Sequence, residues 1–156
     1  MSNIHTITYR PVNKHDLTKI KELYIEEFGF RRFTTNKHVL KSISSLYLSS
    51  VIQQSTYSLV AIRNHEPVGL IYGRNDTQPF LKHSLKDKLV SIYHFINIII
   101  FSLFHLKATK QALKFDHAYK KLSFECNKKF SGEVTTLLVS KSHQGFGMGK
   151  SLFHSF

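Results

Sequence analysis

A chain of 156 residues is long enough for one domain and short for two, and 42% hydrophobic and 13% aromatic content with only seven Gly and three Pro excludes a largely disordered or fibrous protein. Twenty-two Lys and Arg against ten Asp and Glu leave a formal charge of +12, which favours an anionic partner such as a phosphorylated cofactor, nucleic acid or an acidic membrane. Cys126 is the only cysteine, so no intramolecular disulfide can form, and residues 1–10 lack the apolar core of a signal peptide; a cytoplasmic protein is expected.

The first residues read as a short strand and turn, with Ile4, Thr6 and Thr8 facing outward and His5, Ile7 and Tyr9 inward until Pro11. Asp16 is placed to cap a helix in which Leu17, Ile20, Leu23, Tyr24 and Phe28 recur at helical spacing, and Gly29 supplies its stop. After Arg31 and Arg32, Val39, Leu40, Ile43, Leu46, Tyr47, Leu48 and Val51 make the broad apolar stripe of a second helix, which ends before the polar Gln53, Gln54 and Ser55. A hairpin is predicted next: a strand over 57–62, a turn around Asn64, His65 and Glu66, and a returning strand over 68–72 that Pro67 introduces.

A lysine-rich segment of 57 residues, 75–131, breaks this rhythm; its ten lysines and four acids give it +6, half of the total charge. Within it, residues 89–106 are eighteen consecutive uncharged positions, the length of a membrane span. At 100° per residue, however, Ser91, His94, Asn97, Ser102 and His105 fall inside one arc of about 140°, which describes an amphipathic helix with a wide apolar face. Ala108, Ala112, Phe115, Tyr119, Leu122 and Cys126 form a second apolar stripe. The two helices can close as a hairpin against each other, the sheet or a second subunit, and adsorption to an anionic membrane surface is the alternative. A strand over 133–139, a glycine loop and a helix from about Gly147 complete the order.

That loop, "QGFGMGKS" from Gln144, lies between an apolar strand and a helix start, where converging N–H groups and the helix dipole favour a phosphate. It is not a nucleotide P-loop, because Gln144 stands where that motif has its first glycine. Nor is it the dinucleotide turn, since Gly145, Gly147 and Gly149 are evenly spaced and the chain runs only seven residues further. Gln144, Gly147 and Gly149 do satisfy Q/R-x-x-G-x-G/A in register. Taken with the opening "ITYRPVNKHDLTKIKELYIEEFG", the hairpin "YSLVAIRNHEPVGLIYGR" and the closing "EVTTLLVSKSHQGFGMGKSLF", the sequence resembles the GNAT superfamily of N-acetyltransferases.

The resemblance implies an α+β (α/β) fold with a mixed sheet flanked by helices, one domain over 1–156, and residues 75–131 as an inserted amphipathic helical hairpin. It implies acetyl-CoA as co-substrate, no metal, and direct attack of a primary amine on the thioester. In that family the main chain of the fourth strand, here Leu137, Leu138 and Val139, pairs with the pantetheine arm. The loop, here Gln144, Gly145, Phe146, Gly147, Met148 and Gly149, holds the pyrophosphate through its N–H groups, with Lys150 adding charge. An N–H near Val139 would polarise the thioester carbonyl. Glu133 is the expected base, accepting the amine proton through water, and a solvent-facing strand-start Glu is the plain alternative. The ten histidines show no metal-ligand spacing and are expected at the surface, with His143 close enough to the loop to touch a phosphate.

Two departures from the family carry expectations of their own. The insert lies toward the acceptor side and could shape a substrate pocket, make a dimer contact or dock on a membrane. After Phe156 the family's fifth strand and later elements, which commonly bear a Tyr that protonates the departing thiolate, do not follow. This predicts a truncated domain with an exposed fourth-strand edge, weak cofactor binding and at most feeble activity unless a second chain completes the cleft. A non-catalytic remnant that oligomerises through that edge or the insert, and a membrane-surface interaction module, are the competing readings. Nucleic acid is the least expected partner, because the lysines form no reading motif.

Overall fold

The structure is a computed structural model that describes residues 7–32, 34–81, 89, 92–97, 99–100 and 130–156. Four strands form one sheet in chain order, antiparallel throughout: β1 (Thr8–Arg10), β2 (Tyr57–Arg63), β3 (Glu66–Asn75) and β4 (Gly132–Val139). Helices α1 (Leu17–Glu27) and α2 (Lys37–Gln53) pack on one face and the short α3 (Met148–His154) on the other, giving the expected α+β arrangement of a sheet flanked by helices.

The alternation of β3 creates both cores. Leu70 and Tyr72 meet Ile20, Leu23 and Tyr24 of α1, Leu48 and Val51 of α2 and Leu138 of β4. Ile71 turns the other way and, with Val68 and Ala61, is covered by Met148 and Leu152 of α3. Each fully buried side chain of this size contributes about 1.5–3 kcal/mol, so packing rather than helix propensity holds an element as short as α3. Gly69 makes that packing close: a Cβ there would stand 3.1 Å from Met148 Sδ and 3.3 Å from Leu152 Cδ1.

The start of α1 differs from the sequence reading. Asp16 makes no capping bond to the helix. Instead Asn13 caps a 3-10 turn (Lys14–Asp16), its side chain accepting the His15 N–H, while the Asp16 carboxylate accepts the Asn13 N–H at 2.9 Å. The same buried carboxylate receives the Arg10 guanidinium in a forked pair at 2.7 and 2.8 Å. The Arg10 fork, helped by the Asn13 N–H, holds Asp16 below the usual carboxylate range despite its burial. The pair ties the end of β1 to the entry of α1. Gly29, at φ +65°, provides the expected stop of α1, and Asn36 caps α2 by accepting from the His38 and Val39 N–H groups.

In the hairpin, Asn64 and His65 alone form the turn, at φ 51° and 64°, and Glu66 already pairs with Arg63. A register shift between Ala61 and Ile62 accommodates Pro67, which has no N–H for the ladder. Tyr9, expected inward with Ile7, is 39% exposed, because β1 is short and paired on one side only.

The expected strand positions Ile4, His5 and Thr6 and the expected stripe from Ala108 to Cys126 lie outside the described residues. Of residues 89–106, those at 92–97 are helical, as the periodicity requires. Among the described residues no helix is long and apolar enough to cross a membrane. His15, His38, His65 and His154 are exposed as expected, but His94 is not: it is 8% exposed, with Nδ1 3.2 Å from Ser42 Oγ of α2. Burial, with Lys21 and Lys41 nearby, pushes this imidazole below its ordinary pKa.

Candidate functional site

The candidate site is built on β4. Its one edge pairs with β3, and among the described residues no strand pairs with the other. The Ser140 N–H donates to the Val68 carbonyl at 2.9 Å, which sets the phase of the ladder. Leu138 and Thr136 therefore bond to β3, while Leu137 and Val139 turn their N–H and C=O groups to the open edge. The register steps from Thr136 opposite Tyr72 to Val134 opposite Gly73, so Thr135 is an extra residue and β4 bulges there. Side chains follow the same logic: Leu138 is buried in the α1–α2 core, Val139 packs half-buried beside α3, and Leu137 is exposed.

Glu133 stands at the other end of β4, opposite Arg74 and half-buried. Its carboxylate lies 3.7 Å from the Arg74 guanidinium, which also reaches Asp76 at 3.1 Å. At about 3.3 Å per residue, Glu133 is roughly 13 Å along the strand from Leu137, the nearer of the two open-edge residues.

Beyond Val139 the chain makes a 3-10 turn (Lys141–His143) and enters the glycine loop. The Gln144 amide donates to the Val139 carbonyl at 2.7 Å and so folds the loop over the end of the strand. Gly145 at φ +85° and Gly147 at φ +76° are both left-handed, and nothing lies within 4 Å of a Cβ built on either. Their need for glycine is conformational, and the space beside them is open. Gly149 differs, since its backbone is right-handed within α3 and a Cβ would meet Val139 Cγ2 at an ordinary 3.9 Å. The pattern's fixed Gly at 147 and its Gly-or-Ala at 149 thus reflect a backbone demand at one position and only a packing demand at the other.

Gly147 is the N-cap of α3 through its backbone: its carbonyl accepts the Ser151 N–H at 3.0 Å, and no side chain caps the helix. The N–H groups of Met148, Gly149 and Lys150 are left without intrahelical acceptors and project at the mouth of the loop. Of the predicted loop residues, Met148 is buried in the α3 core, so it offers only its N–H, whereas Phe146 is 77% exposed and Lys150 is exposed.

Two loop contacts were not legible in the sequence. Glu27, at the end of α1, accepts the Lys141 N–H at 2.9 Å, which anchors the loop to an element 114 residues away. His143 Nδ1 lies 2.7 Å from Ser140 Oγ and 2.9 Å from Ser142 Oγ, so this face of the ring is engaged by the loop's own hydroxyls. Among the described residues no three His, Cys, Asp or Glu side chains converge to hold a metal.

No protein-family model matches the chain, and no curated protein matches it. Among solved structures it is similar to a GNAT family acetyltransferase from Brucella melitensis in complex with acetyl-CoA, at 14% identity and a TM-score of 0.46, covering 97% of this chain and 66% of that one. It is also similar to a candidate acetyltransferase from Pyrococcus horikoshii, at 15% identity and a TM-score of 0.49, covering 99% of this chain and 34% of that one.

Proposed function

We propose that the chain is an N-acetyltransferase of the GNAT type, which transfers the acetyl group of acetyl-CoA to a primary amine. The observation that carries this reading is the junction from Leu137 to Lys150. Open-edge groups on the strand, the Gln144 bond to Val139, two left-handed glycines beside open space and the free N–H groups at the start of α3 follow one another without interruption.

The parts divide by chemistry. Pantetheine is a chain of amides, and it would pair with Leu137 and Val139 as a neighbouring strand would, with Leu138 fixing the strand from the core. Because Gln144 already occupies the Val139 carbonyl, the groups left for the cofactor are the Val139 N–H and both backbone groups of Leu137. The pyrophosphate would take N–H bonds from the stretch Gln144, Gly145, Phe146, Gly147, Met148 and Gly149, with the Lys150 ammonium beside it.

An open-edge N–H directed at the thioester carbonyl would stabilise the oxyanion formed as the amine nitrogen bonds to the acetyl carbon. The C–S bond then breaks and coenzyme A leaves as the thiolate. Glu133 is the proposed base, accepting the amine proton through intervening water. Isothermal titration with acetyl-CoA tests the reading, with saturable heat expected and a weaker isotherm for Gly147→Ala. Absence of heat at millimolar acetyl-CoA would overturn it.

A further inference from the structure

The glycine loop is held by few contacts. Gln144, Gly145, Phe146 and Gly147 are all exposed, so packing does not fix their path. Among the described residues, two hydrogen bonds tie positions 141–147 to residues outside 140–151: the Gln144 amide on the Val139 carbonyl, and the Lys141 N–H on the Glu27 carboxylate at 2.9 Å. The first stays on β4, and only the second reaches the helical layer.

Glu27 has the wrong sign for its own helix. It ends α1, where the last carbonyls carry partial negative charge, and no basic residue stands in that turn. Among the described residues it forms no ion pair either. At the start of the Lys141–His143 turn the same charge has the right sign, and a cap is missing there. Ser140, the N-cap, makes no side-chain capping bond, because its hydroxyl lies 2.7 Å from His143 Nδ1. The Glu27 carboxylate therefore caps this turn from another element. Its support is firm: Ile20, Leu23 and Tyr24 anchor α1 in the core, and the Phe28 N–H closes the last turn on the Tyr24 carbonyl at 3.1 Å.

We propose that Glu27 is a positioning residue for the pyrophosphate, an inference that rests on acetyl-CoA being the ligand of this loop. Through Lys141 it holds the loop, before the ligand arrives, in the shape that turns its N–H groups together. An anion site made of backbone N–H groups loses affinity when the backbone must be ordered on binding.

Calorimetric titration of Glu27→Ala and Glu27→Gln with acetyl-CoA tests the proposal, together with amide exchange of each protein with and without the ligand. Glu27→Ala is expected to bind acetyl-CoA about fivefold more weakly. Without ligand its amides over 141–147 should exchange about fivefold faster, with α1 and α2 unchanged, and saturating acetyl-CoA should abolish that difference. Glu27→Gln keeps an acceptor oxygen and should recover most of both effects. Wild type and Glu27→Ala binding acetyl-CoA equally well would overturn the proposal and leave acetyl-CoA as the ligand. Faster exchange throughout α1 and α2 also overturns it, because Glu27 would then serve general stability. No heat from wild type overturns acetyl-CoA as the ligand and the pyrophosphate role with it, and exchange over 141–147 then shows separately whether Glu27 holds the loop.

Discussion

Gly147 and Gly149, two residues apart, respond to alanine in opposite directions. At Gly147 the backbone is left-handed at φ +76° and caps α3, and an L-residue there costs about 1–2 kcal/mol, offset in part by the lower entropy of the unfolded chain. A net loss of about 1 kcal/mol is expected. Steric relief cannot change this, because nothing lies within 4 Å of the added Cβ, so the whole effect is conformational. At Gly149 the backbone is helical and the Cβ meets Val139 Cγ2 at 3.9 Å, so alanine removes the helix penalty of glycine and is neutral or stabilising by up to about 1 kcal/mol. For a domain of this size 1 kcal/mol moves Tm by about 2–4 °C, so thermal melts followed by circular dichroism should separate the two variants by about 2–8 °C, with Gly147→Ala the lower. Equal melting temperatures, or the reverse order, would refute the argument that the two glycines meet different demands.

Asp16→Asn should cost about 2 kcal/mol in urea unfolding, less than a fully sealed ion pair because Arg10 is partly exposed. Since the folded state lowers the Asp16 pKa, its contribution is complete above the unfolded value near 4 and fades as pH falls through the lower folded value, so the variant's stability should fall less steeply than wild type's in that range. His94 is also depressed in the folded state, facing Ser42 and Lys41 of α2 and Lys21 of α1. Its contribution is complete above about pH 6.5 and is lost on acidification, so amide exchange over 92–97, corrected for intrinsic rates, should accelerate toward pH 5 in wild type and not in His94→Gln. Glu133→Gln should lower kcat/KM for acetyl transfer by about 10²-fold or more with acetyl-CoA affinity unchanged, and an equal loss in both would assign the residue to binding instead. Gln144→Glu should weaken acetyl-CoA binding more than Gln144→Arg does in calorimetric titration, because only the carboxylate lacks a donor for the Val139 carbonyl; equal affinities would remove the bond from the argument.

The elements that a period can specify were legible. The stripe from Val39 to Val51 is α2, the two apolar runs around Asn64 and His65 are β2 and β3, and Gly29 ends α1 where its left-handed backbone requires. The failures share a cause, which is that the partner lies elsewhere in the chain. Asp16 has the look of a cap because capping is a local rule, but the forked donor that claims it is Arg10, at the end of the preceding strand. Periodicity separated the polar from the apolar side of residues 89–106 and said nothing about which side would meet the protein. That choice was made by Ser42 on α2, which offers a hydroxyl to His94. In the loop, the glycines were readable because left-handed backbone is a property of single residues, whereas the Glu27 anchor joins positions 114 apart and leaves no local signature.

The Gln-or-Arg position of the loop pattern has a physical meaning that joins the strand to the loop. An edge strand ends with a carbonyl that neither the ladder nor the next turn can satisfy, and here that group is Val139. A side chain five residues on must be long enough to reach back and must carry a donor; Gln and Arg meet both conditions, Glu fails the second, and Asn and Ser are too short. Once Gln144 makes that bond, three things follow together: the strand ends in a fixed place, the chain is turned into the left-handed path of Gly145 and Gly147, and the open edge keeps its donor at Val139 while its acceptor is withdrawn. What remains, among the described residues, is an edge with both groups free at Leu137 and only an N–H at Val139, leading directly into a run of N–H groups at the loop. Such a gradient from mixed pairing to pure donation suits a ligand that is amide along one part and phosphate at the other, and it is set by one side-chain hydrogen bond.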